Sequence, residues 1–117
     1  MKKIYFLSTC DTCKRIINDL NPLNDFIFQD IKTETITQEQ IEEMYQLSSS
    51  YESLFSKRAR LYKELDLKNK ALEEDDFKSY ILEQYTFLKR PVILYNDQIF
   101  IGNSKKNIEA AKKAIHE

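Results

Sequence analysis

Two spacings of apolar residues follow one another in the first thirty positions, and each spacing predicts a different element. Residues 4–7 are a short apolar run with the length of a buried strand, whereas the apolar residues between 16 and 20 recur at helical spacing. A stop at Asn21-Pro22 precedes a second strand-like run over 25–31. Strand, helix and strand in about 30 residues predict a βαβ unit with parallel strands and a right-handed crossover.

From about residue 37 to 86 the apolar spacing is helical. Residues 37–40 resemble a capping box that opens a helix, which the serines at 48–50 interrupt. A second helix is predicted over 54–65, with residues 56–60 in its middle or at a local break. The acidic run 73–76 begins a third, because carboxylates in a first turn complement the helix dipole. The apolar face of that helix is predicted to carry Phe77, Tyr80, Ile81 and Tyr85.

The last thirty residues predict a β-hairpin and a closing helix. Two apolar runs, 92–95 and 98–101, flank a turn at Asn96-Asp97, and amphipathic spacing follows Gly102. The element order is therefore β-α-β, a helical insertion over about 37–86, then β-β-α. We predict an α/β protein with a mixed four-stranded sheet, and we expect one domain over 1–117 with the insertion between strands 2 and 3. The face of the closing helix is predicted to carry Ile108, Ala111 and Ile115.

Composition and charge narrow the class of protein without naming it. The 117 residues are 42% hydrophobic and 32% charged, with a net charge of −1. This balance is typical of an ordinary globular chain, and it gives no electrostatic argument for binding nucleic acid or an anionic membrane. No apolar run reaches the roughly 20 residues of a membrane span, and the N-terminal run is too short for a signal peptide. We expect a cytoplasmic protein.

The chemistry of the chain is concentrated in its only two cysteines, Cys10 and Cys13. They lie between the first strand and a helix predicted to begin at the second cysteine, where N–H groups and the helix dipole stabilise a thiolate. Lys14 and Arg15 add positive charge nearby. We predict that Cys10 is a nucleophile and that Cys13 resolves the bond formed at Cys10.

The alternatives for this pair are two small buried residues or part of a metal site. Zinc normally takes four Cys, His or acidic ligands, and the chain has no second cysteine pair and one histidine, His116, beside the C-terminus. We therefore expect no metal site. Because the single histidine is next to the C-terminus, we also do not expect a Ser/His/Asp catalytic triad.

Two basic positions are further candidates. In a thioredoxin-like arrangement of these elements, the Arg90–Pro91 bond before the third strand is cis and Pro91 packs beside the reactive cysteine. Arg90 would then stabilise the thiolate, although a trans proline and a solvated arginine are the common alternatives. Arg58, in the basic run 57–60, is either part of a solvated face or a forked donor for an oxyanion.

The motifs, taken together, resemble the arsenate reductase (ArsC)/Spx family. The resemblance rests on Cys10-x-x-Cys13, the run over 56–65, Arg90-Pro91-Val92-Ile93, and Ile101-Gly102 before a last helix. These motifs are collinear with the family over nearly the whole chain. The resemblance implies a thioredoxin-like fold with a helical insertion between the second and third strands, which agrees with the predicted layout.

The resemblance implies two different functions. Glutaredoxin-dependent arsenate reductases attack arsenate with a cysteine at the place of Cys10, and glutathione and glutaredoxin resolve the adduct. Arginines from the insertion, from the Arg-Pro position and from the segment after the last strand hold the oxyanion. Spx-type members use Cys-x-x-Cys as a redox switch and regulate transcription by binding the C-terminal domain of the RNA polymerase α-subunit.

This sequence departs from the reductase pattern at several positions. An acidic Asp11 follows the nucleophile, Ser56 aligns with the insertion arginine with Arg58 nearby, and Asn103-Ser104-Lys105 replaces the arginine after Gly102. Of the arginines that hold the oxyanion in the reductases, only the one at the Arg-Pro position has a direct counterpart in this sequence, Arg90. We expect a thiol oxidoreductase, glutaredoxin-like or arsenate-reductase-like, with no bound cofactor and with glutathione, glutaredoxin or thioredoxin as electron donor. An Spx-like regulator is the alternative.

Overall fold

Four short strands rich in β-branched and aromatic residues form one mixed sheet in the computed structural model, which describes residues 1–117. They are β1 (Lys2–Phe6), β2 (Ile27–Asp30), β3 (Val92–Tyr95) and β4 (Gln98–Ile101). Their order in the sheet is β2-β1-β3-β4, with β1 parallel to β2 and β3 antiparallel to both of its neighbours. The predicted parallel pair, the hairpin and the mixed sheet are confirmed.

Two amphipathic helices pack with the sheet, α1 (Asp11–Leu20) and α5 (Lys105–His116). Their apolar faces meet one side of β1 and β3, as the periodicity predicts. The ends of the two helices also meet, since His116 Nε2 lies 2.6 Å from the carbonyl oxygen of Leu20. The buried residues of this core are Ile4, Ile16, Leu20, Ile93, Ile108 and Ala111.

The helical segment between β2 and β3 is more broken than its sequence predicts. Its helices are α2 (Gln38–Ser48), α3 (Arg60–Glu64) and α4 (Glu74–Glu83). The predicted helix over 54–65 is confirmed only over Arg60–Glu64, after a break of the kind predicted around 56–60. Its first residues are not helical, because Glu52–Leu54 is a 3₁₀ turn and Phe55 forms a β-bridge with Leu88. Tyr85 begins another 3₁₀ turn and is not part of α4.

Capping groups fix the helix boundaries in this segment. The capping box at Thr37 is confirmed: its hydroxyl accepts from the Gln40 N–H at 3.1 Å and its own N–H donates to Gln40 Oε1 at 3.1 Å. Helix α2 ends where Ser49 adopts a left-handed conformation with φ 62°. Glu73 forms a second capping box at the start of α4, so the acidic run begins this helix as predicted.

An aromatic cluster around Phe55 forms the core of the helical segment. Its ring lies 4.9 Å from that of Phe77 and 5.0 Å from that of Phe87, measured between centroids. Tyr62 and Tyr80 complete the cluster at 5.9 and 6.4 Å. Such pairs stabilise beyond the area they bury.

The chain divides into two compact units. One consists of Met1–Glu34 with Arg90–Glu117 and contains the whole sheet, and the other is Thr35–Lys89. The second unit therefore corresponds to the helical insertion predicted over about 37–86. Both cysteines, Arg90 and Pro91 belong to the first unit, whereas Arg58 belongs to the second.

Candidate active site at the start of helix α1

A tight turn delivers Cys10 from the end of β1 to the start of α1. The Cys10 N–H donates to the Leu7 carbonyl at 3.0 Å, which closes the turn, and the Cys10 carbonyl accepts from the Lys14 N–H at 3.2 Å. Cys10 has extended backbone angles (φ −98°, ψ 112°) and occupies the N-cap of α1. The helix thus begins immediately after the first cysteine, at Asp11, and not at Cys13 as predicted. Its unpaired N–H groups are therefore beside Cys10.

The thiol of Cys10 is partly exposed and is acidified by its surroundings. Partial burial alone raises the pKa of Cys10, but the opposing interactions are stronger and its pKa is lowered overall. The opposing groups are the backbone N–H and the thiol of Cys13, the backbone of Thr12 and the positive charge of Arg90. The stabilisation therefore combines hydrogen bonds from Cys13 and Thr12 with the charge of Arg90, and it favours the thiolate.

Cys13 has the opposite character. Its side chain is completely buried, and it lies on the face of α1 that also carries Ile16. Burial, followed by the charge of Cys10 and its hydrogen bond, raises the pKa of Cys13 to about 11, while the backbone at Leu7 and the charge of Arg90 act in the other direction. The two cysteines are not joined by a disulfide. The structure therefore pairs an accessible, acidified sulfur with a buried sulfur that stays protonated.

Arg90 and Pro91 lie at the start of β3, the strand beside β1. The Arg90–Pro91 peptide bond is cis, the geometry expected in a thioredoxin-like arrangement. The Pro91 carbonyl accepts from the Gly102 N–H at 2.9 Å, which extends the pairing of β3 with β4. Arg90 is half-buried, and its charge lowers the pKa of both cysteines. The structure thus brings Cys10, Cys13 and Arg90 into one electrostatic group.

Three other predicted basic residues are exposed. Lys14 and Arg15 are on the first turns of α1, and Arg58 is in the turn between residues 54 and 60 of the helical unit. Lys57, next to Arg58, is occupied by an ion pair with Glu52 at 2.8 Å. Roles for Lys14, Arg15 and Arg58 at the thiolate stay predictions.

Two serines in the segments where the resemblance leads one to expect arginines, Ser56 and Ser104, take part in local structure. Ser56 donates its N–H to the Phe87 carbonyl at 2.6 Å within the helical unit. Ser104 is the N-cap of α5, and its hydroxyl accepts from the Asn107 N–H at 3.2 Å. The Asn107 side chain in turn donates to the Gly102 carbonyl at 2.8 Å. Gly102 itself has a φ of 90°, a left-handed conformation that favours glycine.

Sequence reasoning did not identify Asp30, which ends β2 beside the cysteine loop. Its Oδ2 accepts from the Ser8 hydroxyl at 2.5 Å, and its Oδ1 accepts from the N–H groups of Ser8 and Lys32, both at 3.2 Å. Since β1 and β2 are parallel, their carboxyl ends meet at one edge of the sheet. The sequence feature that could have identified Asp30 is its place as a polar residue at the end of the strand that follows the Cys-x-x-Cys helix.

No group of three or more His, Cys, Asp or Glu side chains is placed to hold a metal ion. None of the helices combines the length and the apolar character needed to cross a membrane.

Comparison with known proteins agrees with this geometry. A model of the ArsC family matches residues 5–111, which include both cysteines and Arg90. The chain belongs to the ArsC family. An uncharacterised protein of Haemophilus influenzae is 27% identical over 119 residues, covering 95% of this chain and 98% of its own length.

Solved structures of ArsC-type proteins have the same fold. An arsenate reductase from Vibrio cholerae superposes with a TM-score of 0.77 at 19% identity, covering 97% of this chain and 96% of its own. An arsenate reductase (ArsC) related protein from Brucella melitensis gives a TM-score of 0.71 at 23% identity, covering 93% and 92%. The predicted family and thioredoxin-like fold of this ArsC-family chain are confirmed.

Proposed function

We propose that this ArsC-family protein is a thiol-dependent oxidoreductase in which Cys10 is the attacking thiolate and Cys13 the resolving thiol. The observation that carries the proposal is the asymmetry of the pair. Cys10 is accessible with a lowered pKa, whereas Cys13 is buried with a pKa raised to about 11. A nucleophile needs the thiolate form and access to substrate, and a resolving thiol needs protection from direct attack.

The proposed reaction is thiol–disulfide exchange in two steps. The Cys10 thiolate attacks one sulfur of a substrate disulfide, forming a mixed disulfide and releasing the other sulfur as a thiolate. Cys13 then loses its proton and attacks Cys10, which forms the Cys10–Cys13 disulfide and releases the second substrate thiol. The substrate gains two electrons and the protein loses two. The charge of Arg90 favours the Cys10 thiolate that begins this sequence.

Regeneration of the dithiol form needs an external reductant. Glutathione, glutaredoxin or a thioredoxin-type protein supplies two electrons by attacking the Cys10–Cys13 disulfide. Attack falls on Cys10, because the side chain of Cys13 is completely buried. No bound metal or organic cofactor takes part in this proposal.

Arsenate is the alternative substrate of the same nucleophile. The charge of Arg90 acts on Cys10, but the segment after Gly102, where the reductases carry an arginine, is Asn103-Ser104-Lys105, and its Ser104 caps α5. Asp11, exposed at the first helical position beside Cys10, repels a dianion. We therefore propose a disulfide substrate in preference to an oxyanion.

One assay series distinguishes the two substrates. Reduction of hydroxyethyl disulfide and of arsenate is measured with glutathione, glutaredoxin and NADPH, for wild type, Cys10→Ser and Cys13→Ser. We expect disulfide turnover that Cys10→Ser abolishes, and no arsenate turnover. Arsenate turnover that depends on Cys10 would contradict the disulfide preference, and folded protein inactive towards both substrates would contradict the enzymatic proposal.

A redox-sensing regulator is the second candidate, favoured by the presence of Cys13 and by the missing arginines. In that case the Cys10–Cys13 disulfide controls a protein surface. A pull-down with the C-terminal domain of the RNA polymerase α-subunit tests it in reduced and oxidised protein. Binding that changes with oxidation and is lost in Cys10→Ser supports the regulator, and redox-independent binding or none opposes it.

A further inference from the structure

A carboxylate at the end of β2 is bonded to the loop that carries the nucleophile. Asp30 accepts three hydrogen bonds, two from the N–H and hydroxyl of Ser8 and one from the Lys32 N–H. The hydroxyl bond is the shortest, at 2.5 Å. Bonds of this kind, to an ionised acceptor, are about twice as strong as neutral ones. The connection spans 22 positions of sequence, and it adds a side-chain link between the cysteine turn and the end of β2 to the backbone pairing of β1 with β2.

Ser8 is an inner residue of the turn that ends at Cys10. The turn is closed by the Cys10 N–H donating to the Leu7 carbonyl at 3.0 Å. The strand ladder continues on the other side of Asp30, where the Ile31 N–H donates to the Phe6 carbonyl at 2.9 Å. The turn is therefore held both to the sheet and to the Asp30 carboxylate. Its last residue, Cys10, is the N-cap of α1.

We propose that Asp30 is a positioning residue for the Cys10 thiolate: through Ser8 it holds the turn in the conformation that places the Cys10 sulfur at the N-terminus of α1. This inference rests on the proposed function, in which Cys10 is the nucleophile. The position of the sulfur matters because the N–H groups of Cys13 and Thr12 act only over hydrogen-bonding distance. A turn that relaxes moves the sulfur away from them.

The direction in which the pKa of Cys10 changes when Asp30 is replaced distinguishes a positioning role from a purely electrostatic one. Asp30 is an anion, so removing its charge by itself makes a nearby thiolate more stable and lowers the pKa of Cys10. Loss of positioning has the opposite effect, because the sulfur loses its N–H partners. The three donors on Asp30 hold its own pKa below its usual range, chiefly through the Ser8 hydroxyl, and keep it ionised at neutral pH.

Two substitutions at Asp30 remove the same charge and differ in hydrogen bonding. Asp30→Ala deletes every acceptor, whereas Asp30→Asn keeps an oxygen for the Ser8 N–H and offers an amide to the Ser8 hydroxyl. Ser8→Ala removes the hydroxyl bond alone. The matched control is Asp19→Asn on α1, whose carboxylate is 57% exposed in an ion pair with Lys112 at 3.4 Å.

The measurement is the pH dependence of iodoacetamide alkylation at Cys10, resolved by site with mass spectrometry in the full chain. For Asp30→Ala we expect a drop in rate at pH 7 on the order of fivefold, the factor that one typical hydrogen bond is worth. We expect Asp30→Asn and Asp19→Asn to stay within about twofold of wild type, and Ser8→Ala to fall between them and Asp30→Ala.

Unchanged or faster alkylation in folded Asp30→Ala overturns the inference, and so does an equal drop in Asp30→Asn. If Asp30→Ala fails to fold, an unchanged rate in Ser8→Ala has the same consequence. The proposed function is tested separately by the pKa of Cys10 measured in the wild-type protein. An ordinary Cys10 pKa in wild type rejects the proposed nucleophile, whereas a low wild-type pKa that Asp30→Ala leaves unchanged rejects only the positioning role.

Discussion

The asymmetry between the two cysteines predicts a strong preference in their reaction with an alkylating agent. At neutral pH and limiting iodoacetamide, wild type should be modified almost wholly at Cys10. Replacing Cys13 by serine should leave most of this reactivity, whereas replacing Cys10 should remove nearly all of it. The reason is that the thiolate is the reactive form and only one of the two sulfurs forms it readily.

The size of the preference follows from the pKa values and from the nucleophilicity of the two sulfurs. The pKa of Cys13 is about 11, and that of Cys10 lies below the ordinary thiol value of 9.0, so the thiolate of Cys10 is at least about 100 times more populated at pH 7. The more basic thiolate is intrinsically more nucleophilic, which offsets at most about tenfold over this interval. The expected preference is therefore at least about tenfold, before the complete burial of Cys13 is considered.

The assay is site-resolved mass spectrometry of protein quenched at short times, with Cys10→Ser and Cys13→Ser as matched single-cysteine chains. A guanidinium-unfolded sample is the control, since both sulfurs are then exposed and should react at similar rates. Equal modification of Cys10 and Cys13 in folded protein, or faster modification of Cys13, would refute the reasoning from burial and helix position.

Three further predictions concern electrostatics and stability. Arg90→Gln should raise the Cys10 pKa and slow its alkylation at pH 7 by about threefold, and more than Lys14→Gln does, because Arg90 is half-buried and Lys14 is exposed to screening; equal effects in the pH profiles would count against Arg90. Thr37→Ala removes the capping box of α2 and should lower the free energy of unfolding by about 1 kcal/mol, measured by urea denaturation. Leu20→Ala, at a completely buried position of the sheet unit, should cost about 3 kcal/mol in the same experiment; a loss as small as that of Thr37→Ala would contradict the packing described.

The elements that local spacing determines were predictable from sequence. The strand-like runs, the capping box at Thr37 and the hairpin turn at Asn96 each depend on neighbouring residues, and the structure has all of them. The predictions were wrong where contacts between residues that are distant in sequence determine the local structure. Phe55 leaves the predicted helix over 54–65 because it pairs with Leu88 and its ring joins Phe77 in the aromatic core. Such tertiary contacts override helical periodicity.

The candidate site was also predictable only where its residues are recognised from local sequence. Cys10 and Cys13 were identifiable because their spacing and the strand–helix context are local. The Asp30 carboxylate was not, because it reaches Ser8 across 22 positions and nothing local marks it as more than a strand end. The start of α1 was predicted two residues late, at Cys13 and not at Asp11, yet this boundary decides that Cys10 is the N-cap. A helix boundary is fixed by backbone hydrogen bonds that apolar spacing reports only approximately.

Trapping of a mixed disulfide tests the central claim most directly. Reduced wild type, Cys13→Ser and Cys10→Ser are mixed with oxidised glutathione and followed by intact mass and peptide mapping. The account predicts that Cys13→Ser accumulates one glutathione on Cys10, that wild type proceeds to the Cys10–Cys13 disulfide and loses the mass of two hydrogens, and that Cys10→Ser stays unmodified. Glutathione found on Cys13, or wild type that stops at a stable glutathione adduct on Cys10, would contradict the assignment of attacking and resolving sulfurs.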